Sequence, residues 1–256
     1  MLEAKSLASV LIDYANWAIR FVMPRPRRIK IADTAFCDPR WQSLSREIMA
    51  FLDKVKKGED LTSHLSLNVH TRGVAPSASR SGPDIDRWAD KDLILNAMGY
   101  HHFHLGLTQT SAGYIERTDH VLFAEVTRDQ LEVIGIFDHS VFDGPPKAMS
   151  AERRRLWEIF DERCTRGVSP GTVVAAPLIA MSGHPNYLID VAQRYAYLVR
   201  ETDPKLDDPS YVRGLYQKAG LPVPHKPKLY WRLQGLDLGL LDTERRLFFV
   251  SSYGPN

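Results

Sequence analysis

Two apolar runs, VLFAEV at 121–126 and LEVIGIFDH at 131–139, flank the polar tetrad TRDQ. Val, Ile, Leu and Phe favour a pleated backbone, and a four-residue polar connection joins antiparallel neighbours, so these residues predict a β-hairpin. The run YHHFHLGL at 100–107 is also strand-like, and residues 100 to 139 together form the most strongly β part of the chain.

Helical spacing surrounds this segment. Leu7, Val10, Leu11, Tyr14, Trp17, Ala18 and Phe21 predict a helix within residues 1–22, stopped by Pro24 and Pro26. Trp41, Leu44, Ile48, Phe51, Leu52 and Val55 predict a second over about 39–57, ending at Gly58. A third starts at Asp84 or Asp86 and closes at Gly99. Ser150 caps a fourth that carries Leu156, Trp157, Ile159 and Phe160, and NYLIDVAQRYAYLVRE at 186–201 is a fifth. A short helix surrounds YVRGLYQKAG at 211–220. Alternation predicts strands within LTSHLSLNVHTRG (61–73) and TVVAAPLIAM (172–181), and two strands in the closing KLYWRLQGLDLGLLDTERRLFFVSS.

The expected class is α+β: a helical N-terminal part followed by a mostly antiparallel sheet flanked by helices. The Ser-, Ala- and Pro-rich VAPSASRSGP at 74–83 separates a helical region, 1–73, from an α+β domain, 84–256, unless the two form one continuous domain.

The sequence has 256 residues, 44% of them hydrophobic and 25% charged, enough to bury a core. No apolar run reaches the length of a transmembrane helix. Asp13 and Asn16 interrupt the apolar N-terminal stretch, and its positive charges follow it, the wrong order for a secretory signal. Cys37 and Cys164 lie far apart without metal-type spacing, as reduced thiols do. A cytoplasmic protein without membrane contact is expected. Net charge is +2, so global charge does not demand nucleic acid. The basic clusters RPRRIK at 25–30 and Arg153–Arg155 read as solvated faces rather than phosphate sites.

Three of the nine histidines fall at 101, 102 and 104. Strand alternation puts His102 and His104 on one face and His101, Phe103 and Leu105 on the other. With the second face as core, His102 and His104 emerge on an open or cleft-lining side, and His101 is structural. Paired imidazoles suit proton transfer at neutral pH, and a His-x-His strand can also hold one metal ion. Pairing through TRDQ brings Arg117, Asp119 and His120 beside Asp138 and His139. Arg117 is the natural phosphate partner there, being permanently charged and able to donate two parallel hydrogen bonds. A second candidate is MSGHPN at 181–186, where Ser182, Gly183 and Asn186 either bind an anion at a helix start or simply cap it.

The run KDLILNAMGYHHFHLG…ERTDHVLFAEV…LEVIGIFDH, within 86–140, resembles a group of bacterial proteins of uncharacterised activity. In that group a helix ending in Gly leads to a His-rich strand and a later strand opening with Arg-Thr/Ser-Asp. A looser similarity is to RelE-like toxin ribonucleases, which carry curved antiparallel sheets with short His, Arg and acidic constellations. That similarity implies RNA as substrate and an antitoxin as partner.

Walker A, GxGxxG, GxSxG, HExxH and paired CxxC motifs are absent from the sequence. The leading expectation is a metal-independent, phosphodiester-cleaving enzyme of RNase-like toxin or effector type, needing no cofactor. His102, His104 and His139 supply acid–base chemistry, and Arg117 stabilises charge on the phosphorus oxygens. The alternatives are a metal-dependent hydrolase, with His139 or Asp119 joining His102 and His104, and a non-enzymatic binding or structural protein of phage or mobile-element origin. Partners are RNA or another phosphate-bearing ligand, or a protein.

Overall fold

The computed structural model describes residues 5–66, 93–143, 149–169, 171–174, 179–180 and 182–256. The 74–83 segment, the Asp84 and Asp86 caps and parts of the strands expected at 61–73 and 172–181 lie outside them. The chain divides into two compact units, Arg20–Asn186 with Asn256, and Met1–Ile19 with Tyr187–Pro255. These boundaries differ from the expected 1–73 and 84–256. The first helix belongs with the C-terminal strands, with which it shares a core.

The larger unit is built on the expected hairpin. β3 (His120–Val126) pairs antiparallel with β4 (Gln130–Asp138), and β2 (Tyr100–His104) pairs antiparallel with β3. A strand absent from the sequence reading, β1 (Arg28–Ile31), runs parallel to β4, so the sheet is mixed, in the order β1-β4-β3-β2. Between them lie α2 (Asp33–Phe36), α3 (Pro39–Ser43), α4 (Ser45–Lys57) and α5 (Leu93–Met98). The helix expected over 39–57 is two, broken at Leu44. It stops at Gly58, whose φ of 73° is easy only for glycine. α6 (Ala151–Thr165) starts at Ser150, whose hydroxyl accepts from the Arg153 amide as expected.

Helices cover both faces of this sheet. Ile48, Phe51, Leu52 and Val55 of α4 pack on Phe103, Leu122, Ala124, Leu131 and Val133. Ile94 and Met98 of α5, with Leu156, Ile159 and Phe160 of α6, pack on Tyr100, Val121, Phe123, Ile134 and Phe137. Two covered faces explain why LEVIGIF is nearly continuous in apolar residues instead of alternating. The register shifts beside Phe123 and Ala124, leaving Ile134 as an extra residue in β4. This bulge lets Val133 and Ile136 serve one core while Ile134 and Phe137 serve the other. The hydroxyl of Thr34 donates to the carbonyl of Ile134 at 2.7 Å.

The smaller unit contains α1 (Leu7–Ala18), α7 (Asn186–Thr202), α8 (Pro209–Lys218) and a three-stranded antiparallel sheet. Its strands are β5 (Leu229–Gln234), β6 (Asp237–Asp242) and β7 (Leu247–Ser252), in that order and one more than expected. Leu11 of α1 and Ala192, Tyr195 and Ala196 of α7 pack on Leu238, with Trp231 and Leu233 against them. This shared core ties α1 to the C-terminal strands. Tyr14 and Tyr195 donate to the carbonyls of Gly235 and Leu236 at 2.8 and 2.7 Å, fixing the β5–β6 turn. A mixed four-stranded sheet and an antiparallel three-stranded sheet, with helices packed on them, make the fold α+β, as expected. Among the described residues no helix is long and apolar enough to cross a membrane.

Candidate functional site

The pairing brings the expected segments together at one end of the larger sheet. His104, which ends β2, pairs with Val121, and His120, which opens β3, pairs with Asp138 at the end of β4. Immediately after β4, a single 3₁₀ turn (His139–Phe142) folds back over this end. Its first residue returns to the hairpin partner, with His139 Nδ1 3.1 Å from the carbonyl oxygen of Asp119. A carbonyl only accepts, so Nδ1 carries the proton and Nε2 is the nitrogen left to exchange one.

Ring contacts then run inward. His139 stacks on His104 at 5.7 Å between centroids and 24° between planes. His104 lies 6.2 Å from His102 at 80°. His102 lies 5.0 Å from Phe142 and 5.9 Å from Phe123. His102, His104 and His139 therefore converge. The expectation that His102 and His104 open onto a cleft is corrected, because they are 8% and 3% exposed. The cause is the second helical layer: α5, α6 and the 3₁₀ turn cover the face expected to be open. Only His139 is half-exposed. His101, on the opposite face, is buried and parallel to Phe103, as expected of a structural residue.

Arg117 is exposed, and among the described residues it makes no hydrogen bond to the imidazoles. It stands two residues before Asp119, whose carbonyl holds His139, so its backbone lies within about 7 Å of that anchor. Asp119 is exposed too, and it meets His139 through its backbone carbonyl. Among the described residues no group of three His, Cys, Asp or Glu has an arrangement that could hold a metal ion. The metal-dependent alternative therefore finds no ligand set there.

A fourth buried imidazole lies outside the sequence expectations. His64 sits in a 3₁₀ turn (Thr62–His64) where alternation had placed a strand. Its Nδ1–H donates to the carbonyl of His104 at 2.8 Å, and its Nε2 accepts from Lys54 Nζ at 3.1 Å. Burial, with the Lys54 charge beside it, pushes His64 below the usual imidazole range, so it is a neutral bridge. Lys54 also lines a polar cavity of about 450 Å³ with Asp60, Thr62, Ser63, Gln109 and Tyr114. Nothing in the local sequence signals this bridge, because its members are 10 and 40 residues apart.

Two charge networks take in Lys30 and Arg155 from the basic clusters expected to be solvated, while Arg28 and Arg154 are exposed as expected. At the end of β4, Arg40 grips Asp38 through two hydrogen bonds of 2.9 and 2.8 Å and reaches Glu152 at 2.9 Å. Arg155 joins both acids, and its guanidinium lies 4.4 Å over the Phe137 ring. Burial raises the Asp38 carboxyl, but the Arg40 hydrogen bonds and the charges of Arg40 and Arg155 outweigh it and hold Asp38 below the usual range. On the sheet itself, Arg163 binds Glu132 and Glu125, and Lys30 adds a contact to Glu132 at 3.1 Å. The Arg163 hydrogen bond keeps Glu132 ionised despite its burial. Arg27 of the RPRRIK cluster is 4% exposed and donates to the carbonyls of Thr127, Met23 and Arg25. Burial pushes its guanidinium down to about 10. Arg153 donates to the carbonyl of Phe142, pinning the turn that carries His139.

At the second candidate, Met181 lies outside the described residues. Gly183, with φ of 83°, donates its amide to Ala180, and His184 Nδ1 lies 3.0 Å from the Ser182 hydroxyl. These are the bonds of a tight turn leading into α7. Compared with protein-family models, curated proteins and solved structures, the chain matches none of them.

Proposed function

We propose that the larger unit cleaves RNA without a metal ion, at the rim formed by His139, His104 and His102. The observation that carries this reading is the stack of half-exposed His139 on buried His104. His104 holds the His139 ring in place from within, and the surface imidazole can take the proton that phosphodiester cleavage must move first. In this scheme a ribose 2′-oxygen loses its proton to His139 and bonds to phosphorus. The bond from phosphorus to the 5′-oxygen breaks, that oxygen takes a proton from water, and the His139 imidazolium returns its proton to the hydroxide left. His139 Nε2 is the exchange atom at the surface, His102 supports His104 from behind, and Arg117 stabilises charge on the phosphorus oxygens. The preorganisation comes from the Asp119 carbonyl, which fixes the His139 ring, and from Arg153, which fixes its turn.

Purified protein in EDTA should cleave RNA and leave the corresponding DNA intact. His139→Ala should lower the rate by about 10²–10⁴-fold, the range of a general acid–base group. RNA that stays intact, or an unchanged rate in His139→Ala, overturns the reading.

One observation favours a second reading, in which the histidines serve packing in a protein of the binding class. All five residues of β2 are buried, and the nearest rings to His102 include two phenylalanines. Under that reading His102→Phe combined with His104→Leu preserves both folding and cellular activity.

A further inference from the structure

The two faces of the smaller sheet differ. Trp231, Leu233 and Leu238 point into the core with α1 and α7, and Phe249 meets Tyr216 of α8 at 5.0 Å. By alternation, Tyr230, Arg232, Leu241, Phe248 and Val250 occupy the other face. The register aligns them in two rows. Tyr230 pairs with Leu241 and Leu241 with Phe248; Arg232 pairs with Gly239 and Gly239 with Val250. A β-carbon at Gly239 would lie 2.8 Å from the Phe248 ring, so the glycine is what lets that ring lie across the sheet. Tyr230 is 59% exposed and Val250 39%.

We propose that this open face is a stacking surface for single-stranded RNA. The choice of RNA over DNA rests on the cleavage reading above. Tyr230 and Phe248 stand two strands apart, about 10 Å, on opposite sides of Leu241. Each offers a flat ring to one unpaired base, and stacking accepts any base because every base has a π-face. The charges of the face complement a phosphate backbone. Arg232 is exposed along β5, and Arg246 is exposed in the β6–β7 turn. The opposing acids are accounted for: Glu244 is paired with Lys228 at 3.0 Å. Asp237 and Asp242 are buried, accepting from Gly254 and from Tyr216, Glu244 and Arg245. Rings for bases, framed by cations with few free acids, match a single strand better than an apolar protein face.

The test is fluorescence anisotropy of the full chain with a labelled 2′-O-methyl oligouridine, which has no free 2′-hydroxyl to react. The probe should bind in a salt-dependent way. Tyr230→Ala should weaken binding by about fivefold or more, and Tyr230→Trp should restore it. Arg232→Gln should flatten the slope of log affinity against log salt by about 0.7. Tyr230 is exposed, so its replacement leaves folding intact, which circular dichroism checks. The proposal is overturned if the wild type does not bind, if Tyr230→Ala binds unchanged, or if Tyr230→Ala alters only self-association. Binding that depends on Tyr230 without cleavage of ordinary RNA removes the cleavage reading and keeps this one. Cleavage with binding indifferent to Tyr230 does the reverse.

Discussion

The two sheets of this protein are built from similar strands and meet solvent differently. β2, with both faces covered, is buried at every position, although three of its five residues are histidine. β5, covered on one face, alternates between half-buried and exposed along its whole length. A covered sheet must satisfy its polar groups internally, because a polar group buried without a partner costs about 1–3 kcal/mol. The larger unit does this with two arginine–carboxylate networks and the His64 bridge. A half-covered sheet leaves that work to water and is free to display tyrosine and arginine.

The contrast breaks most readily at its apolar centre. Phe103 is fully buried between the larger sheet and α4, and Phe103→Ala should cost about 3–5 kcal/mol in urea unfolding. Tyr230→Ala should stay within about 0.5 kcal/mol of wild type. Equal costs would mean that the two sheets are not covered as described. Asp38→Ala should come next, at about 2–3 kcal/mol, because it leaves Arg40 and Arg155 facing each other with only Glu152 between them. Asp38 sits below its ordinary range when folded, so its contribution is present above the unfolded carboxyl value near 4. It is lost as pH falls through the folded value. The wild type should therefore lose stability steeply on acidification, and the Asp38→Ala curve should be flatter there.

Smaller effects sharpen the comparison. On the covered side of the smaller sheet, Tyr216 donates to the buried Asp242 carboxylate at 2.7 Å. Tyr216→Phe should cost about 1–2 kcal/mol by thermal or urea unfolding. In the larger unit, folded His64 resists protonation while the unfolded imidazole takes up a proton below about 6.5. Stability should thus decline as pH falls through that value and level off below the folded value. Replacing His64 with Gln should remove that part of the decline in a series of melting temperatures against pH, even if it costs stability throughout.

Much of the larger sheet is legible in the residues alone. VLFAEV, TRDQ and LEVIGIFDH lie next to each other in sequence, so their pairing needs only local spacing and a turn. Gly58, Gly99 and Ser150 end or start helices through their own backbone and hydroxyl chemistry. β1 was not legible, because RIKI is four residues long, rich in cations, and meets its partner about 100 residues away. Arg27 was misplaced on a solvated face for a related reason. A basic run looks the same whether water or three backbone carbonyls receive its donors.

The histidine rim divides along the same line. The sequence by itself determined which histidines share a face of β2, and that the ends of β3 and β4 meet, because a period of two and a short turn permit no other arrangement of those residues. Only the tertiary structure decided that the face of His102 and His104 is closed and that His139 is the ring left at the surface. Whether a strand face meets water or a helix depends on α5, α6 and the turn after β4. Those elements lie beyond the strand, and no spacing within YHHFHLG reports on them.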